Sequence, residues 1–163
     1  QDQDVVPYSL ELEPGSLFLA NSAQSLTHIA KLLKKSKHKH IGFNLDLSHF
    51  CLAGILKRNK HDGSFQLSSE ITNSNAFDIF RTRIVHAHIS DSSDKGHLGD
   101  LPFESIHDAN YFEQQIQFLS NLISKENHSI PFSNYLSMEL EAVGSWQEIE
   151  RSFKTLCALC KSV

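Results

Sequence analysis

The sequence predicts an α/β fold of the parallel (β/α) TIM-barrel type, with about four βα units in a single domain over residues 1–163. Four short apolar runs, at residues 8–13, 41–46, 83–89 and 135–139, have the composition of β-strands. Each run contains acidic or histidine residues towards its end and is followed by loop residues and a helical pattern. Active-site groups of such barrels collect at the carboxyl ends of the strands, so we expect these polar residues to meet.

The connections between the runs carry helical periodicity. After the first run, apolar residues spaced i, i+3, i+4 and i+7 predict a helix with Ser22 or Ser25 as its cap; they are Leu26, Ile29, Ala30 and Leu33. The second connection is less regular, and we expect one helix there, over residues 75–81. Each interval between strand ends is long enough for a parallel crossover, which takes about 30 residues.

Two longer helices complete the pattern. The third connection repeats the helical spacing behind a possible cap at Asp108, with Phe112, Ile116, Leu119 and Ile123 on one side. The last helix begins with a capping box, Ser145 with Glu148. One apolar stripe follows, and we expect it to face the core, cysteines included; its members are Trp146, Ile149, Phe153, Leu156, Cys157 and Cys160.

Four parallel strands alone leave two unpaired sheet edges, which natural proteins rarely tolerate. We therefore expect either a preceding half-barrel that this chain lacks or a homo-oligomer in which two copies pair. The chain begins with Gln1 and its only methionine is Met138, which favours a fragment.

Composition excludes several classes of protein. The chain is 40% hydrophobic and 21% charged, as ordinary globular domains are. A formal charge of −4 makes nucleic acid a poor partner, and we interpret the basic residues within 31–40 as a helix terminus.

No apolar run approaches the roughly 18 residues that cross a membrane, and no secretory signal is visible, so we expect a cytoplasmic protein. Three cysteines provide no disulfide framework, whereas ten histidines favour metal chemistry.

The strand ends hold three kinds of candidate group. Asp46 and His49 are three residues apart at a strand-to-loop junction and can address one site; alternatively, Asp46 only caps the following helix. His86 and His88 face the same side of their strand, with Asp91 nearby, and a metal would satisfy their ring nitrogens. The alternative is a pair of histidines that are exposed or satisfied without a metal.

Two acidic pairs complete the set, Glu11 with Glu13 and Glu139 with Glu141. Both members of a pair face the same side, so alternation cannot choose between them, and a solvated edge strand remains the alternative. Together the strand ends offer glutamate, aspartate, histidine and glutamate. This oxygen-rich set suits Mn²⁺, Mg²⁺ or Co²⁺, and Zn²⁺ is also compatible.

The motifs at residues 10–15, 41–49, 84–91 and 136–141 resemble, in order, the second half of xylose-isomerase-like barrels. That superfamily contains sugar phosphate isomerases and epimerases and the zinc-dependent apurinic-site endonucleases. The resemblance implies that barrel strands five to eight are present here. It further implies a metal held by Glu13, Asp46, His88 and Glu139.

The function that the resemblance implies is metal-dependent isomerisation or epimerisation of a sugar or sugar phosphate through an enediolate. Glu13 and Glu139 would be the two catalytic carboxylates that move the proton. His49 would contact substrate or a second metal. Three further residues would line a loop over the substrate; they are His86, Asp91 and His97. The alternatives are an apurinic-site endonuclease for DNA repair and a catalytically silent barrel that serves as a binding module.

Overall fold

The computed structural model describes residues 8–14, 17, 20–36, 40–59, 61–90, 101–102, 109–123, 135–140 and 145–159. Four parallel strands form the main sheet: β1 (Tyr8–Glu11), β2 (Ile41–Asp46), β5 (Ile84–Ile89) and β6 (Leu136–Met138). Between β2 and β5 in the chain lies a two-stranded antiparallel sheet of β3 (Leu56–Arg58) and β4 (Phe65–Leu67). The order across the main sheet is β1-β2-β5-β6. The predicted α/β class and four parallel strands are confirmed, whereas closure into a barrel remains a prediction.

Six helices occur in the described part of the chain: α1 (Ala23–Lys35), α2 (Leu47–Leu52), α3 (Ser69–Thr72), α4 (Phe77–Arg81), α5 (Ala109–Ile123) and α6 (Trp146–Leu159). Both predicted caps of α1 act together, because the Ser22 side chain accepts from Ser25 N while Ser25 Oγ accepts from Ser22 N. None of the described helices is long and apolar enough to span a membrane. Asp108, the proposed cap of α5, lies outside the described residues.

The second connection is richer than predicted. It holds the β3–β4 hairpin and α3 as well as the expected helix, which begins at Phe77 as α4. Each hairpin strand is three residues long. Such short strands show too few alternations for a periodicity to reveal them.

The apolar core lies against one face of the main sheet. Phe80 of α4 packs on Phe43 of β2 with ring centroids 5.1 Å apart, and Phe50 of α2 stacks on Phe80 at 5.9 Å. The central strands contribute the following buried side chains to this core: Phe43, Leu45, Ile84, Ala87 and Ile89.

The opposite face of the sheet is polar, and a bulge between β2 and β5 turns two histidines of β5 towards it. The register shifts between Phe43 and Asn44, which makes Val85 an extra residue on β5. A one-residue shift turns the following side chains to the other face of a strand. His86 and His88 consequently stand on the same face as Asn44.

Gly42 makes room for this bulge. A Cβ atom at Gly42 would lie 2.5 Å from the carbonyl oxygen of Arg83 and against the side chain of Val85. Val85 is itself buried and fills the space that the absent side chain leaves. The glycine is therefore required by close approach of β5.

Helix α6 departs from its prediction. Trp146 and Phe153 are 73% and 60% exposed, and Cys157 is exposed too, whereas Ser152 is buried. The expectation that the stripe, with Cys157, faces the core is wrong for these residues; Cys160 lies outside the described part. Periodicity identifies an apolar side of a helix but not whether a neighbour covers it.

The outer strands of the main sheet also expose apolar side chains. In the described part of the chain β1 pairs only with β2, and β6 only with β5. The exposed residues next to these two edges are Tyr8, Leu10, Tyr135 and Leu136. A partner half-barrel or second copy therefore remains an expectation about what covers them.

Candidate metal centre

Four side chains from the four strands of the main sheet converge at its carboxyl edge. Glu11, Asp46, His88 and Glu139 each offer one ligand atom, and these atoms all lie within 4.8 Å of one another. Glu11 and Asp46 are the last residues of β1 and β2, and Glu139 directly follows β6. The parallel order of the strands brings these ends to one edge of the sheet.

At β1 the structure brings Glu11, instead of the predicted Glu13, into this group. The strand ends at Glu11, and the Glu13 backbone N–H then donates to Ala20 O at 2.9 Å, away from β2. Glu13 belongs to a second group, with Glu11 and His49, whose ligand atoms also lie within 4.8 Å of one another. Glu11 and Glu13 would face the same side only if both lay in one continuous strand, and β1 ends between them.

His88 stands among the three carboxylates. Its Nδ1 lies 3.2 Å from Glu11 Oε1 and 3.6 Å from Asp46 Oδ2, and it hydrogen-bonds to Glu139 Oε2. Interaction with Asp46, then with Glu11, raises the pKa of His88 to about 10, although burial opposes the rise. In the metal-free chain the imidazolium form of His88 is therefore favoured at neutral pH and its charge partly balances the carboxylates. A cation bound by His88 would displace this proton.

Glu139 has a raised pKa as well. Burial is the main cause, and the negative charges of Glu11 and Asp46 add to it, while the charge of His88 opposes the rise. Glu139 consequently holds a proton more readily than an ordinary glutamate does.

Asp46 caps α2, as one of the two sequence interpretations has it, and it also faces the candidate metal centre. Its Oδ1 accepts hydrogen bonds from His49 N at 2.8 Å and from Ser48 Oγ at 2.9 Å, which caps α2. Its other oxygen, Oδ2, faces His88. The carboxylate is fully buried, so the cap holds it in place for the site.

His49 lies in α2 and its ring is fixed by the backbone of the loop after β1. Nδ1 is 3.0 Å from Leu12 O. A carbonyl oxygen can only accept, so Nδ1 carries the hydrogen and donates it. The same nitrogen lies 3.7 Å from a carboxylate oxygen of Glu11 and of Glu13. The predicted role of His49 towards substrate or a second metal remains a prediction.

His86 lies within β5, whereas the resemblance placed it beside a closing loop. Its Nε2 lies 2.7 Å from Ser137 Oγ, and its ring meets that of His88 edge-on, with centroids 5.4 Å apart. Burial and the nearby charge of His88 lower the pKa of His86, although Glu11 opposes this. Asp91 and His97, together with Glu141, lie outside the described residues.

The site also contains two polar residues that the sequence analysis does not predict, Asn44 and Ser137. Asn44 Nδ2 lies 3.1 Å and 3.2 Å from the two ring nitrogens of His88. Both could have been predicted from their positions in the sequence. Asn44 precedes Asp46 by two residues and Ser137 precedes Glu139 by two residues, so each faces the same side of its strand as a candidate ligand.

The residues present fit a divalent cation. Glu11 Oε1 and Asp46 Oδ2 are buried, and within the described part of the chain neither accepts a hydrogen bond of good geometry. Buried carboxylate oxygens are costly unless a hydrogen bond, an opposite charge or a metal compensates them, and in the metal-free chain the charge of His88, at 3.2 Å and 3.6 Å, compensates these two in part. Three carboxylates and one imidazole form a donor set that Mn²⁺, Mg²⁺, Co²⁺ or Zn²⁺ accepts.

No protein-family model matches the chain, and searches of curated proteins and of solved structures found no match. The resemblance to xylose-isomerase-like barrels thus rests on its four motifs. The function is therefore inferred from the residues of the site and their arrangement.

Proposed function

We propose that this chain forms the metal-binding half of a sugar or sugar-phosphate isomerase or epimerase on a xylose-isomerase-like (β/α) barrel. The observation that carries the proposal is the convergence of one ligand atom each from Glu11, Asp46, His88 and Glu139, all within 4.8 Å of one another. These four residues meet at the carboxyl ends of parallel strands. Barrel enzymes place their catalytic groups at that edge.

The sheet supports the barrel part of the proposal. Its strand order follows the chain without a reversal, and the described core lies against one face while the other face is polar. A doubly wound sheet instead reverses its strand order and carries helices on both faces. The described strands therefore match a segment of a barrel wall better.

The candidate ligands are Glu11, Asp46, His88 and Glu139, and the ion would be Mn²⁺, Mg²⁺ or Co²⁺, with Zn²⁺ as the alternative. When bound, such an ion polarises adjacent hydroxyl and carbonyl oxygens of a sugar, which acidifies the C–H between them.

The carboxylates at the two outer strands supply the proton chemistry. Glu11 and Glu13 stand at the β1 side and Glu139 at the β6 side, with Asp46 and His88 between them. One carboxylate removes a proton from carbon and the other returns it, which requires one base and one acid. The raised pKa of Glu139 suits it to hold the proton, while a glutamate of β1 or its following loop acts as the base.

The substitution Glu139→Gln tests this proposal. Loss of the acid–base group should reduce turnover at least about a hundredfold. Loss of a ligand charge should weaken Mn²⁺ binding at least about tenfold. Turnover is measured as solvent deuterium incorporated into a panel of aldoses and ketoses by NMR, and affinity by calorimetry.

The matched control is Glu113→Gln, which makes the same chemical change at an exposed position of α5. Unchanged Mn²⁺ affinity in Glu139→Gln would remove Glu139 from the ligand set. Absence of deuterium incorporation by the Mn²⁺-loaded protein with both barrel halves present would overturn the isomerase assignment.

One observation favours a second candidate, a zinc-dependent endonuclease acting at apurinic sites. Glu11 also belongs to the second group, with Glu13 and His49, so two ions could share its carboxylate. Pairs of ions are common in enzymes that cleave phosphate esters. Against it, the His49 nitrogen that lies 3.7 Å from Glu11 and Glu13 is Nδ1, which already donates to Leu12 O. The chain also carries a formal charge of −4. Failure of the zinc-loaded protein, with both barrel halves present, to incise DNA with an abasic site would eliminate this candidate.

A further inference from the structure

The amide side chain of Asn44 lies beside His88 on the polar face of the sheet, towards the amino ends of the strands. Asn44 precedes Asp46 by two residues on β2 and is only 5% exposed. Its Nδ2 lies 3.1 Å from Nε2 and 3.2 Å from Nδ1 of His88. Its oxygen, Oδ1, is buried and has no hydrogen-bond partner among the described residues. A buried amide with an unsatisfied oxygen is costly, so its position beside a candidate ligand requires a reason.

The two ring nitrogens of His88 have different surroundings. Nδ1 lies 3.2 Å from Glu11 Oε1 and 3.6 Å from Asp46 Oδ2, and it hydrogen-bonds to Glu139 Oε2. Nε2 has the amide of Asn44 as its hydrogen-bond partner in the described part of the chain. A cation held by the three carboxylates would therefore meet Nδ1 of His88.

The hydrogen of the His88 ring determines what Asn44 has to provide. A neutral imidazole carries one hydrogen, and the nitrogen that binds a metal carries none. If Nδ1 binds the cation, the hydrogen is on Nε2. Metal-binding histidines almost always donate this second N–H to an acceptor, which fixes the tautomer and the orientation of the ring. The amide nitrogen of Asn44 cannot accept a hydrogen bond, whereas its Oδ1 can.

A half-turn of the Asn44 amide satisfies both groups. The terminal torsion of an asparagine side chain is broad and roughly twofold, so the turn exchanges Oδ1 with Nδ2 at little cost. It gives the unpartnered Oδ1 a donor and gives the Nε2–H of His88 an acceptor. We infer that Asn44 is a positioning residue of the metal centre, whose Oδ1 accepts a hydrogen bond from His88 Nε2 and so directs Nδ1 to the cation.

This inference rests on the metal centre of the proposed function and is independent of the reaction assigned to it. The opposite arrangement, in which Asn44 donates to Nε2, would place the ring hydrogen on Nδ1 and block that nitrogen from the cation. The orientation of one amide thus determines whether His88 can serve as a ligand.

The test locates the ring hydrogen of His88 by long-range ¹H–¹⁵N NMR of the full chain loaded with Zn²⁺, which is diamagnetic. In the wild type we expect Zn²⁺ on Nδ1 and the hydrogen on Nε2. Asn44→Leu has a similar size but no acceptor, so it should lose the Nε2–H signal to solvent exchange. The same variant should bind Mn²⁺ about ten- to a hundredfold more weakly by calorimetry. Asn44→Asp keeps an acceptor oxygen and should retain both the hydrogen on Nε2 and the Mn²⁺ affinity.

Leu33→Ala controls for a general loss of stability. Leu33 lies on α1 and belongs to the apolar core on the other face of the sheet. Its truncation should destabilise the chain in urea while leaving Mn²⁺ affinity within about twofold of the wild type. A loss of affinity equal to that of Asn44→Leu would attribute both losses to destabilisation and overturn the role of Asn44.

The wild-type spectrum is decisive by itself, since Zn²⁺ on Nε2 with the hydrogen on Nδ1 would overturn the inference even if Asn44→Leu does not fold. Equal weakening of Mn²⁺ binding in Asn44→Asp and Asn44→Leu would also overturn it, because the acceptor oxygen would then make no difference. A wild-type chain that binds neither ion refutes the proposed function itself. Normal binding of both ions with the hydrogen on Nδ1 refutes the role of Asn44 alone.

Discussion

His88 should make the metal-free protein less stable as the pH rises. Its pKa is raised from 6.5 to about 10 in the folded chain, because Asp46 and Glu11 stabilise the imidazolium. A group with a raised pKa binds more protons in the folded state than in the unfolded state. Its stabilisation is therefore complete below pH 6.5 and is lost as the pH rises through about 10.

The size of the effect follows from the same pKa. At about 1.4 kcal/mol for each pKa unit, the difference corresponds to at most roughly 5 kcal/mol. The His88 side chain is 18% exposed, so solvent screens part of the interaction. We expect the free energy of unfolding to fall by about 2–4 kcal/mol between pH 6.5 and pH 10.

The measurement is urea unfolding followed by circular dichroism, with a chelator present, at several pH values across this range. His88→Gln is the control, because it removes the titrating group and should flatten the dependence on pH. If the wild type is equally stable at both ends of the range, His88 does not have the raised pKa. If His88→Gln loses as much stability as the wild type does, the dependence arises from other groups.

Two further predictions concern Gly42 and the cysteines. Gly42→Ala should destabilise the chain by about 1–3 kcal/mol and weaken Mn²⁺ binding, because the new Cβ would collide with Arg83 O and Val85 and displace the bulge. If the variant is as stable in urea as the wild type, Gly42 is not needed for the bulge. Iodoacetamide at pH 8 should label the exposed Cys157 well before Cys51, because burial raises the pKa of the Cys51 thiol to about 12. Labelling is followed by mass spectrometry, and equal rates would contradict the burial of Cys51.

The four parallel strands could be predicted because each is a short apolar run that ends in polar residues. The convergence of Asp46, His88 and Glu139 followed from that layout, since carboxyl ends of parallel strands meet at one edge. The choice between Glu11 and Glu13 could not be made. It depends on where β1 stops pairing with β2, and this is a property of the tertiary structure.

The bulge at Val85 could not be predicted either, because a bulge is defined by how a strand pairs with its neighbour and the sequence of one strand does not contain that information. It decides which face His86 and His88 occupy. Ser137 was not predicted because a serine in a strand carries no signal by itself. The exposure of Trp146 was missed for a related reason, since the sequence of α6 contains no information about its neighbours.

Anomalous diffraction from crystals soaked in Mn²⁺ tests the central claim most directly. We expect an anomalous peak between Glu11, Asp46, His88 and Glu139, at distances of about 2.0–2.3 Å from their ligand atoms. A peak between Glu13 and His49 alone, or no peak beside the four residues at saturating Mn²⁺, would contradict it.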